Sequence, residues 1–455
     1  MARRWHDPTV LAVVAITLGG LILRCVAARG ALWLDEAWSA VFAHEVATPA
    51  GVFLSINHDN NHHLNSLWLQ WVGPGAAPLM QRALSIAAGT ALIPLAAVIA
   101  GRRSGASAIL AAIGFAVAPF LVAYGSEARG YAPMLFAWGC AIHVVDRWLA
   151  KPSAPLPATA LALAALLGCM AQATMVFALA SLALWVAIVR LRSAGLRTTT
   201  GELVRLFAPA VVAVGLFAAL AWAAVRADPA GFRFGSREAH DWARWASGLD
   251  QLFGWTLGLS AMVLLLGGFG RIVADRIGLL AVIAAGLLPL AVALLGLPNS
   301  GAARYYVVAL PPLLLWAAIA LPRGWAAGRE LRAVTVVIGV SFVVGAAVRD
   351  RQLAGNLRGD PGRALDAMAA RSLTGTTVSI EYPRSSAILS VAARQRRYPL
   401  EIVNAPCPAA PYRFVERDGD AAFPDAVILC GRRYREIARG DPTAVSGSHW
   451  RLYTR

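Results

Sequence analysis

Charged residues are scarce in this 455-residue chain, and their scarcity excludes the most common class of enzyme. Only 15% of the residues are charged and 58% are hydrophobic, whereas soluble domains are about 25% charged and roughly 45–50% apolar. The composition therefore excludes a soluble multidomain enzyme. Disorder is excluded as well, because disordered chains have low hydrophobicity and the mean hydropathy here is +0.59.

Acidic residues are few, and the resulting basic excess could suggest nucleic acid. The chain has 41 Lys and Arg against 25 Asp and Glu, a formal net charge of +16. It lacks, however, a basic stretch that alternates with exposed aromatic residues, the pattern that favours single-stranded nucleic acid. In a membrane protein the same excess indicates basic loops on the cytoplasmic face. We therefore expect membrane lipids, and no nucleic acid, as partners.

Apolar stretches long enough to span a bilayer recur along residues 1–348. A spanning helix needs about 20 apolar residues, and we count about eleven such segments. They lie at about 9–27, 80–100, 106–123, 131–149, 157–171, 173–190, 206–225, 252–270, 277–297, 305–321 and 333–348. The first contains Arg24 and lacks a convincing cleavage site, so we expect an uncleaved helix rather than a signal peptide. The sequence thus predicts a polytopic α-helical membrane protein.

Basic residues mark every second boundary between these segments and set the orientation. Arg3 and Arg4 precede the first segment, and further basic loops follow near 102–103, 147–151, 190–205, 271–276 and 323–332. Under the positive-inside rule these loops and the N-terminus are cytoplasmic. The first outer loop, 28–79, and the tail then lie outside the inner (plasma) membrane.

Long apolar runs are missing from residues 349–455, which are rich in Arg, Asp, Pro and Gly. Short alternating runs at 377–380 and 426–429 predict strands, and the segments 384–393 and 433–439 predict helices. About a hundred residues suffice for one small core. We therefore expect a small α/β domain on the outer face.

This change of composition divides the chain into a transmembrane catalytic domain, 1–348, and an extracytoplasmic α/β domain, 349–455. Cys407 and Cys430 both lie in the second domain. In an oxidising compartment they would form a disulfide; the alternative is two free, partly buried thiols. The sequence favours neither.

Two adjacent carboxylates follow the first apolar segment, in Trp33-Leu34-Asp35-Glu36-Ala37-Trp38-Ser39. Tryptophan favours the membrane interface, so this segment would lie along the surface as an amphipathic helix. A carboxylate in reduced dielectric has a tunable proton affinity and suits a general base. The alternative is structural, because Asp35 and Glu36 would also interact favourably with the dipole at a helix N-terminus.

Histidines cluster in the same loop, in Asn57-His58-Asp59-Asn60-Asn61-His62-His63-Leu64-Asn65. On a helix His58 and His62 would share one face, as metal ligands can, although the intervening residues favour turns. A divalent metal is therefore one interpretation. The favoured one is a polar pocket for an acidic or sugar substrate, formed by His58, His62, His63 and Asn65.

Charges recur where later segments meet the outer boundary. Glu127 and Arg129 lie between two apolar segments, where charges are costly unless paired or functional. Arg129 suits bidentate contact with a phosphate, and Glu127 is a further pocket candidate; the alternative is a structural Glu–Arg pair that caps two helices. Arg304 has aromatic neighbours at this boundary, and Arg82 is either one more cation there or a snorkelling side chain.

These segments lie far apart in sequence, yet all of them place acidic, basic or aromatic groups at one boundary. That fits an active site that takes one substrate from the lipid and another from water. A lipid phosphate needs cations at headgroup depth, and a sugar acceptor needs a carboxylate that removes a hydroxyl proton. A transporter or flippase is the main alternative, but its ionisable groups would lie near the midplane, often in repeated halves. An inactive lipid-binding assembly partner is the third.

The segment Leu32-Trp33-Leu34-Asp35-Glu36-Ala37-Trp38-Ser39 resembles the acidic motif of membrane glycosyltransferases with the GT-C fold. The resemblance is greatest to the protein O-mannosyltransferase-like branch, which includes the lipid A aminoarabinose transferases. It covers roughly residues 1–320 and extends to His58–Asn65, Arg82-Ala83-Leu84-Ser85, Glu127-Ala128-Arg129-Gly130-Tyr131 and Arg304-Tyr305-Tyr306.

The resemblance implies a sugar donor on a polyprenyl phosphate, attacked in one step by an acceptor hydroxyl with inversion at the anomeric carbon. By position, Asp35 would be the general base, and Glu36 would support it or orient the acceptor. The candidates for holding the lipid phosphate are Arg129, Arg304, Tyr131, Tyr305 and Arg82. Some relatives carry a Pro-Tyr-Tyr-like run in place of His62-His63-Leu64-Asn65. The metal requirement and the acceptor, a glycan, a lipid or a protein, therefore stay open.

Overall fold

The computed structural model describes residues 7–57, 61–228, 238–255, 275–419, 421–443 and 445–455. Within them, six helices are long and apolar enough to cross a membrane: Pro8–Ala27, Ala83–Gly101, Met175–Ala227, Arg276–Leu295, Ala303–Ala326 and Arg329–Gly359. Two shorter apolar helices, Gly105–Val117 and Ala158–Ala171, accompany them. The chain is therefore a multi-pass membrane protein.

Helices of the described residues are numbered in chain order. The first eight are α1 (Pro8–Ala27), α2 (Leu34–Glu45), α3 (Pro49–Leu54), α4 (His63–Val72), α5 (Pro78–Gln81), α6 (Ala83–Gly101), α7 (Gly105–Val117) and α8 (Pro119–Tyr124). Then follow α9 (Tyr131–Ala150), α10 (Ala158–Ala171), α11 (Met175–Ala227), α12 (Trp242–Trp255), α13 (Arg276–Leu295), α14 (Leu310–Ala326) and α15 (Arg329–Asn356). A 3-10 turn, Ala303–Ala309, precedes α14.

The predicted segment 106–123 is broken into α7 and α8 because a proline interrupts it. Ala118, which precedes Pro119, is extended (φ −61°, ψ 122°), as residues before proline usually are. The break leaves carbonyls at the end of α7 without helical partners. Arg24 of α1 donates hydrogen bonds to two of them, on Phe115 at 2.9 Å and on Ala116 at 3.2 Å. This charge within an apolar helix therefore has a structural role.

The number of spans stays a prediction. The predicted segments 173–190 and 206–225 both fall within α11, whose helical backbone is interrupted at Gly195 (φ 72°, ψ 167°). The predicted segment 252–270 lies largely outside the described residues. Six clear candidate spans are thus consistent with the polytopic class, and the count of about eleven is not established.

Beyond α15 the chain forms a six-stranded mixed sheet in the order β2-β1-β3-β6-β5-β4. The strands are β1 (Thr376–Ile380), β2 (Leu400–Val403), β3 (Tyr412–Arg417), β4 (Ala426–Leu429), β5 (Arg432–Gly440) and β6 (His449–Thr454). β1 is parallel to β2 and β3, and the other pairs are antiparallel. Two helices, α16 (Gly362–Ala369) and α17 (Ser385–Arg396), complete this C-terminal α/β domain.

One secondary-structure prediction in this domain is wrong. Residues 433–439, expected to be helical, lie in β5, which pairs with β4 on one side and β6 on the other. Pairing on both sides overrides the helix propensity of its Arg, Glu and Ala residues, because strand preference depends on context. The turn between β4 and β5 contains Cys430, which forms a disulfide with Cys407.

The C-terminal domain packs on the connection between α1 and α2. The backbone N–H of Ala31 donates to Asp360 at 2.9 Å, and that of Leu34 donates to the Ser448 hydroxyl at 3.2 Å. Helix α17 packs against α2 through an apolar cluster that includes Trp33 and Ile388. The domain therefore lies at the same end of the bundle as the first outer loop.

Candidate active site

Asp35 and Glu36 lie in the first turn of α2, but they face different surroundings. The Glu36 carboxylate accepts a hydrogen bond from the backbone N–H of Trp33 at 3.1 Å, which caps the start of the helix. Glu36 is fully buried, whereas the Asp35 side chain is 27% exposed. Only Asp35 is thus open to a substrate.

Glu36 and Arg82 form a buried ion pair, with Nε–Oε1 and Nη2–Oε2 distances of 2.8 and 2.5 Å. Arg82 also donates to the carbonyls of Ala28, Gly30 and Ala31. Burial opposes ionisation of Glu36, but the Arg82 guanidinium outweighs it and lowers the pKa of Glu36 below its usual range. The pair holds the α1–α2 connection in place. It leaves Glu36 closed to an acceptor but able to support Asp35 through the start of α2, and it leaves Arg82 with no free N–H for the phosphate expected there.

Glu127 pairs with an arginine that the sequence analysis did not consider. Arg358, at the end of α15, donates to Glu127 at 3.2 Å, to the Ser126 hydroxyl at 2.7 Å and to the carbonyls of Ala27 and Ala123. The Ser446 hydroxyl also donates to Glu127. Burial raises the pKa of Glu127, and Arg358 only partly offsets it. Glu127 is therefore a structural anchor between the helical part and the C-terminal domain rather than a lining residue of an open pocket.

The loop 125–130, which carries Arg129, is held by its neighbours on three sides. Glu36 accepts from the backbone N–H of Ala128 at 2.6 Å, and the Asn65 amide donates to the Ala128 carbonyl at 2.6 Å. The Ser85 hydroxyl donates to the Arg129 carbonyl at 2.8 Å. Asn65, which we predicted to line the pocket, thus forms a hydrogen bond with the backbone of this loop. The position of Arg129 is fixed by these contacts.

Arg129 connects the residues that were singled out in two distant segments. Its guanidinium forms an ion pair with Asp35 and hydrogen bonds with His62 Nε2 at 3.0 and 3.2 Å. It also lies 5.7 Å from the Trp33 ring centroid and 5.6 Å from that of Tyr131, within the range of cation–π attraction. Asp35, His62, Arg129 and Tyr131 therefore form one cluster.

The contacts of His62 determine its tautomer. Nδ1 lies 3.0 Å from the Ala171 carbonyl, which can only accept, so Nδ1 carries the proton and Nε2 accepts from Arg129. Burial, reinforced by the charge of Arg129, lowers the pKa of His62 well below its usual value. A neutral His62 thus orients Arg129. Both ring nitrogens are engaged, so His62 does not fit the metal-ligand role expected of it.

The other two histidines of the predicted pocket are His63 and His58. His63 stacks on Phe53 and meets Phe217 edge to face, and burial lowers its pKa to about 4. His58 lies outside the described residues. Within the described part of the chain, no group of three His, Cys, Asp or Glu side chains could hold a metal ion.

Arg304 supplies a positive charge that no described carboxylate within 4 Å balances. It stacks over Tyr305 at 5.5 Å and is close enough to Asp35, Tyr131 and Arg129 to interact with them electrostatically. The ion pairs around it join Glu36 to Arg82, Glu127 to Arg358 and Asp35 to Arg129. Arg304 thus lies near Asp35 without an ion pair of its own among the described residues.

The C-terminal domain also reaches toward this cluster. Glu416 of β3 is buried and pairs with Arg384 at 2.8 Å. Burial raises the pKa of Glu416 to about 7; Arg384 lowers it, while Asp418 and the more distant Asp35 raise it. The site residues predicted from the sequence did not include Glu416, Arg384 or Arg358. A charge beside a Gly-Asp-Pro-Gly turn directly after an apolar helix was the available signal for Arg358.

Solved structures share this fold. The ArnT structure from Cupriavidus metallidurans bound to undecaprenyl phosphate aligns with 98% of this chain and 97% of its own length, at a TM-score of 0.59 and 14% identity. The apo structure of the same ArnT aligns with 87% of this chain and 86% of its own length, at a TM-score of 0.58 and 14% identity. The mycobacterial arabinofuranosyltransferase AftD aligns with all of this chain but only 40% of its own length, at 0.50 and 15%.

No family model matches the sequence, and no curated protein does. The structural neighbours are GT-C glycosyltransferases, so the chain has the GT-C fold and the resemblance read from its motifs is confirmed at that level. At about 15% identity the likeness concerns the fold alone.

Proposed function

We propose that this GT-C chain is an inverting glycosyltransferase that moves a sugar from a polyprenyl phosphate to an acceptor hydroxyl. The observation that carries the proposal is the juxtaposition of a partly exposed carboxylate, Asp35, with two arginines, Arg129 and Arg304, at one end of an apolar bundle. The two guanidinium groups suit the phosphate of a lipid-linked donor. The neighbour with bound undecaprenyl phosphate supports the same donor class.

In the reaction, the acceptor oxygen attacks the anomeric carbon of the donor sugar from the face opposite the phosphate. The bond from that carbon to the phosphate oxygen breaks, and the polyprenyl phosphate leaves with the electron pair. Asp35 takes the proton of the acceptor hydroxyl. Arg129 and Arg304 stabilise the charge that develops on the departing phosphate, with Tyr131 and Tyr305 beside them.

The ion pair between Asp35 and Arg129 is the arrangement of the site before substrates bind. A donor phosphate that binds Arg129 competes for its guanidinium and loosens the pair, which frees the Asp35 carboxylate for the acceptor. His62 holds Arg129 from the other side throughout. Binding of the donor phosphate thereby makes the base available to the acceptor.

Glu36, Arg82 and Glu127 act as positioning residues in this scheme. Their buried contacts fix the first turn of α2 and the loop 125–130, and none of them touches a reacting atom. His62 is a positioning residue as well. Both ring nitrogens of His62 are occupied, so the proposed reaction uses no metal ion bound to it.

The basic loops support an orientation with a cytoplasmic N-terminus and about eleven spans in the inner membrane. The site and the C-terminal domain then face outward, where a lipid-linked donor and an extracytoplasmic acceptor meet.

The test compares Asp35→Asn with Glu45→Gln, an acid-to-amide change at an exposed residue of the same helix. Each variant replaces the wild-type protein in cells, and lipid-linked sugars are measured by mass spectrometry. Loss of a general base costs about 10²–10⁴-fold in rate, so we expect the donor to accumulate with Asp35→Asn, as in cells that lack the protein, and not with Glu45→Gln. Normal donor levels and product with a correctly inserted Asp35→Asn variant would remove Asp35 from catalysis.

A further inference from the structure

The end of the bundle opposite Asp35 carries a second network of charges. Asp146 in the last turns of α9 is fully buried and binds Arg103 through two hydrogen bonds of 2.7 and 2.9 Å. Arg102 and Arg276 lie 3.4 and 3.8 Å from the same carboxylate. One aspartate thus faces three arginines.

Asp275, which caps α13, adds one carboxylate and one further cation. It pairs with Arg323 at 2.9 Å and lies 3.7 Å from Arg103. Across this network four arginines meet two aspartates among the described residues, an excess of two positive charges. Arg323 and Arg276 are 54% and 34% exposed, so the excess is accessible from outside the bundle.

An apolar cleft of about 350 Å³ begins next to this network, between α7, α14 and α15. Leu110, Leu321 and Ile338 line it on the three helices. Leu321 is two residues from Arg323, so at 1.5 Å per helical residue the cleft starts close to the charged end. Gly114 and Gly339 widen it, and a Cβ on Gly339 would meet nothing within 4 Å.

The neighbouring ends of α14 and α15 add a tryptophan and a further arginine. Arg332 lies 5.1 Å from the ring centroid of Trp325 and donates to its carbonyl at 3.3 Å. Trp325 is 50% exposed, and an exposed tryptophan beside an arginine is typical of headgroup depth. Arginines thus lie on α14 and α15 near their connection, and Arg102 and Arg103 precede α7.

We propose that this end binds an anionic phospholipid, with its phosphate against Arg323 and Arg332 and one acyl chain in the cleft. The cleft requires an apolar chain, and the surplus of arginines over aspartates in the adjoining network favours a negative headgroup, which a zwitterionic lipid supplies poorly. Basic pockets between membrane helices bind anionic headgroups in this way. The site is separate from the proposed donor phosphate at Arg129 and Arg304, which lies at the other end of the same helices.

The headgroup half is tested on the purified full-length protein in a neutral detergent, by native mass spectrometry of retained lipid. The probes are phosphatidylglycerol and phosphatidylcholine with the same acyl chains. We expect the wild type to prefer phosphatidylglycerol by about tenfold or more, and the Arg323→Gln/Arg332→Gln variant to lose that preference. The matched control Arg192→Gln/Arg197→Gln removes two exposed arginines elsewhere and should keep it. Equal retention of both lipids by the wild type would overturn the proposal.

The acyl-chain half is tested by filling the cleft. Gly339→Phe places a ring in the open space, and Gly215→Phe is its control, because a Cβ there also meets nothing within 4 Å on a helix that does not line the cleft. Gly339→Phe should lose phosphatidylglycerol and keep undecaprenyl phosphate, and Gly215→Phe should keep both. If Gly339→Phe instead loses undecaprenyl phosphate and keeps phosphatidylglycerol, the cleft belongs to the donor chain and the proposal is wrong.

Discussion

The two ends of the helical bundle both pair carboxylates with arginines, but they use these pairs differently. At the Asp35 end, the Glu36–Arg82 and Glu127–Arg358 pairs are at most 1% exposed and bind backbone groups of several segments. At the opposite end, the partners of Asp146 and Asp275 include side chains that are 30–54% exposed. The first arrangement fixes a geometry, and the second presents a charged surface.

The difference teaches what the buried charges are for. A buried ion pair is weak evidence of stability, because desolvation offsets the attraction. Glu36 and Arg358 instead join four chain segments around Asp35, including the C-terminal domain. We infer that these charges stay buried, despite the cost of desolvation, because their contacts fix the shape of the site.

The largest effect should come from breaking one buried pair. Glu36→Gln leaves Arg82 buried without a counter-charge and should destabilise the protein by about 3–5 kcal/mol. Asp146→Asn at the other end should cost clearly less, because its arginines can turn toward water. Unfolding of both variants in mixed detergent micelles measures this contrast. Equal losses would show that the two ends do not differ in this respect.

A pH effect on stability should come from the C-terminal domain. Glu416 has a folded-state pKa of about 7 against a usual 4.5, so the folded state binds its proton more tightly than the unfolded state. Stability from this group is complete below about pH 4.5 and falls by about 3 kcal/mol as the pH rises to 7. Denaturation at pH 5 and pH 8 measures it. Glu416→Gln should flatten the dependence, and an unchanged slope would contradict the assignment.

A smaller effect should separate the arginines of the two ends in donor binding. Arg304→Ala removes a charge-assisted contact worth about 1.5–3 kcal/mol, so affinity for undecaprenyl phosphate should fall about 10- to 100-fold. Arg323→Ala removes an arginine from the other end and should leave it unchanged. Binding to protein in nanodiscs measures both. A loss with Arg323→Ala and none with Arg304→Ala would reverse the two assignments.

Much of this arrangement was predictable from local patterns, and the rest depends on tertiary contacts. The apolar segments and the acidic motif indicated the membrane class and placed Asp35 just after the first helix. That Asp35 meets Arg129, 94 positions away, follows only from packing. Glu36 could not be distinguished from Asp35 because they are adjacent, and each side chain is held by a distant arginine, Arg82 for Glu36 and Arg129 for Asp35. Residues 433–439 were misassigned because strand pairing, not propensity, decides their structure.

The position of the donor phosphate tests the central claim most directly. A structure of the full-length protein with undecaprenyl phosphate should place the phosphate within hydrogen-bond distance of Arg129 and Arg304, with the Asp35 carboxylate turned toward the acceptor side. A phosphate bound at Arg323 and Arg332 instead, with the Asp35–Arg129 pair undisturbed, would contradict the account.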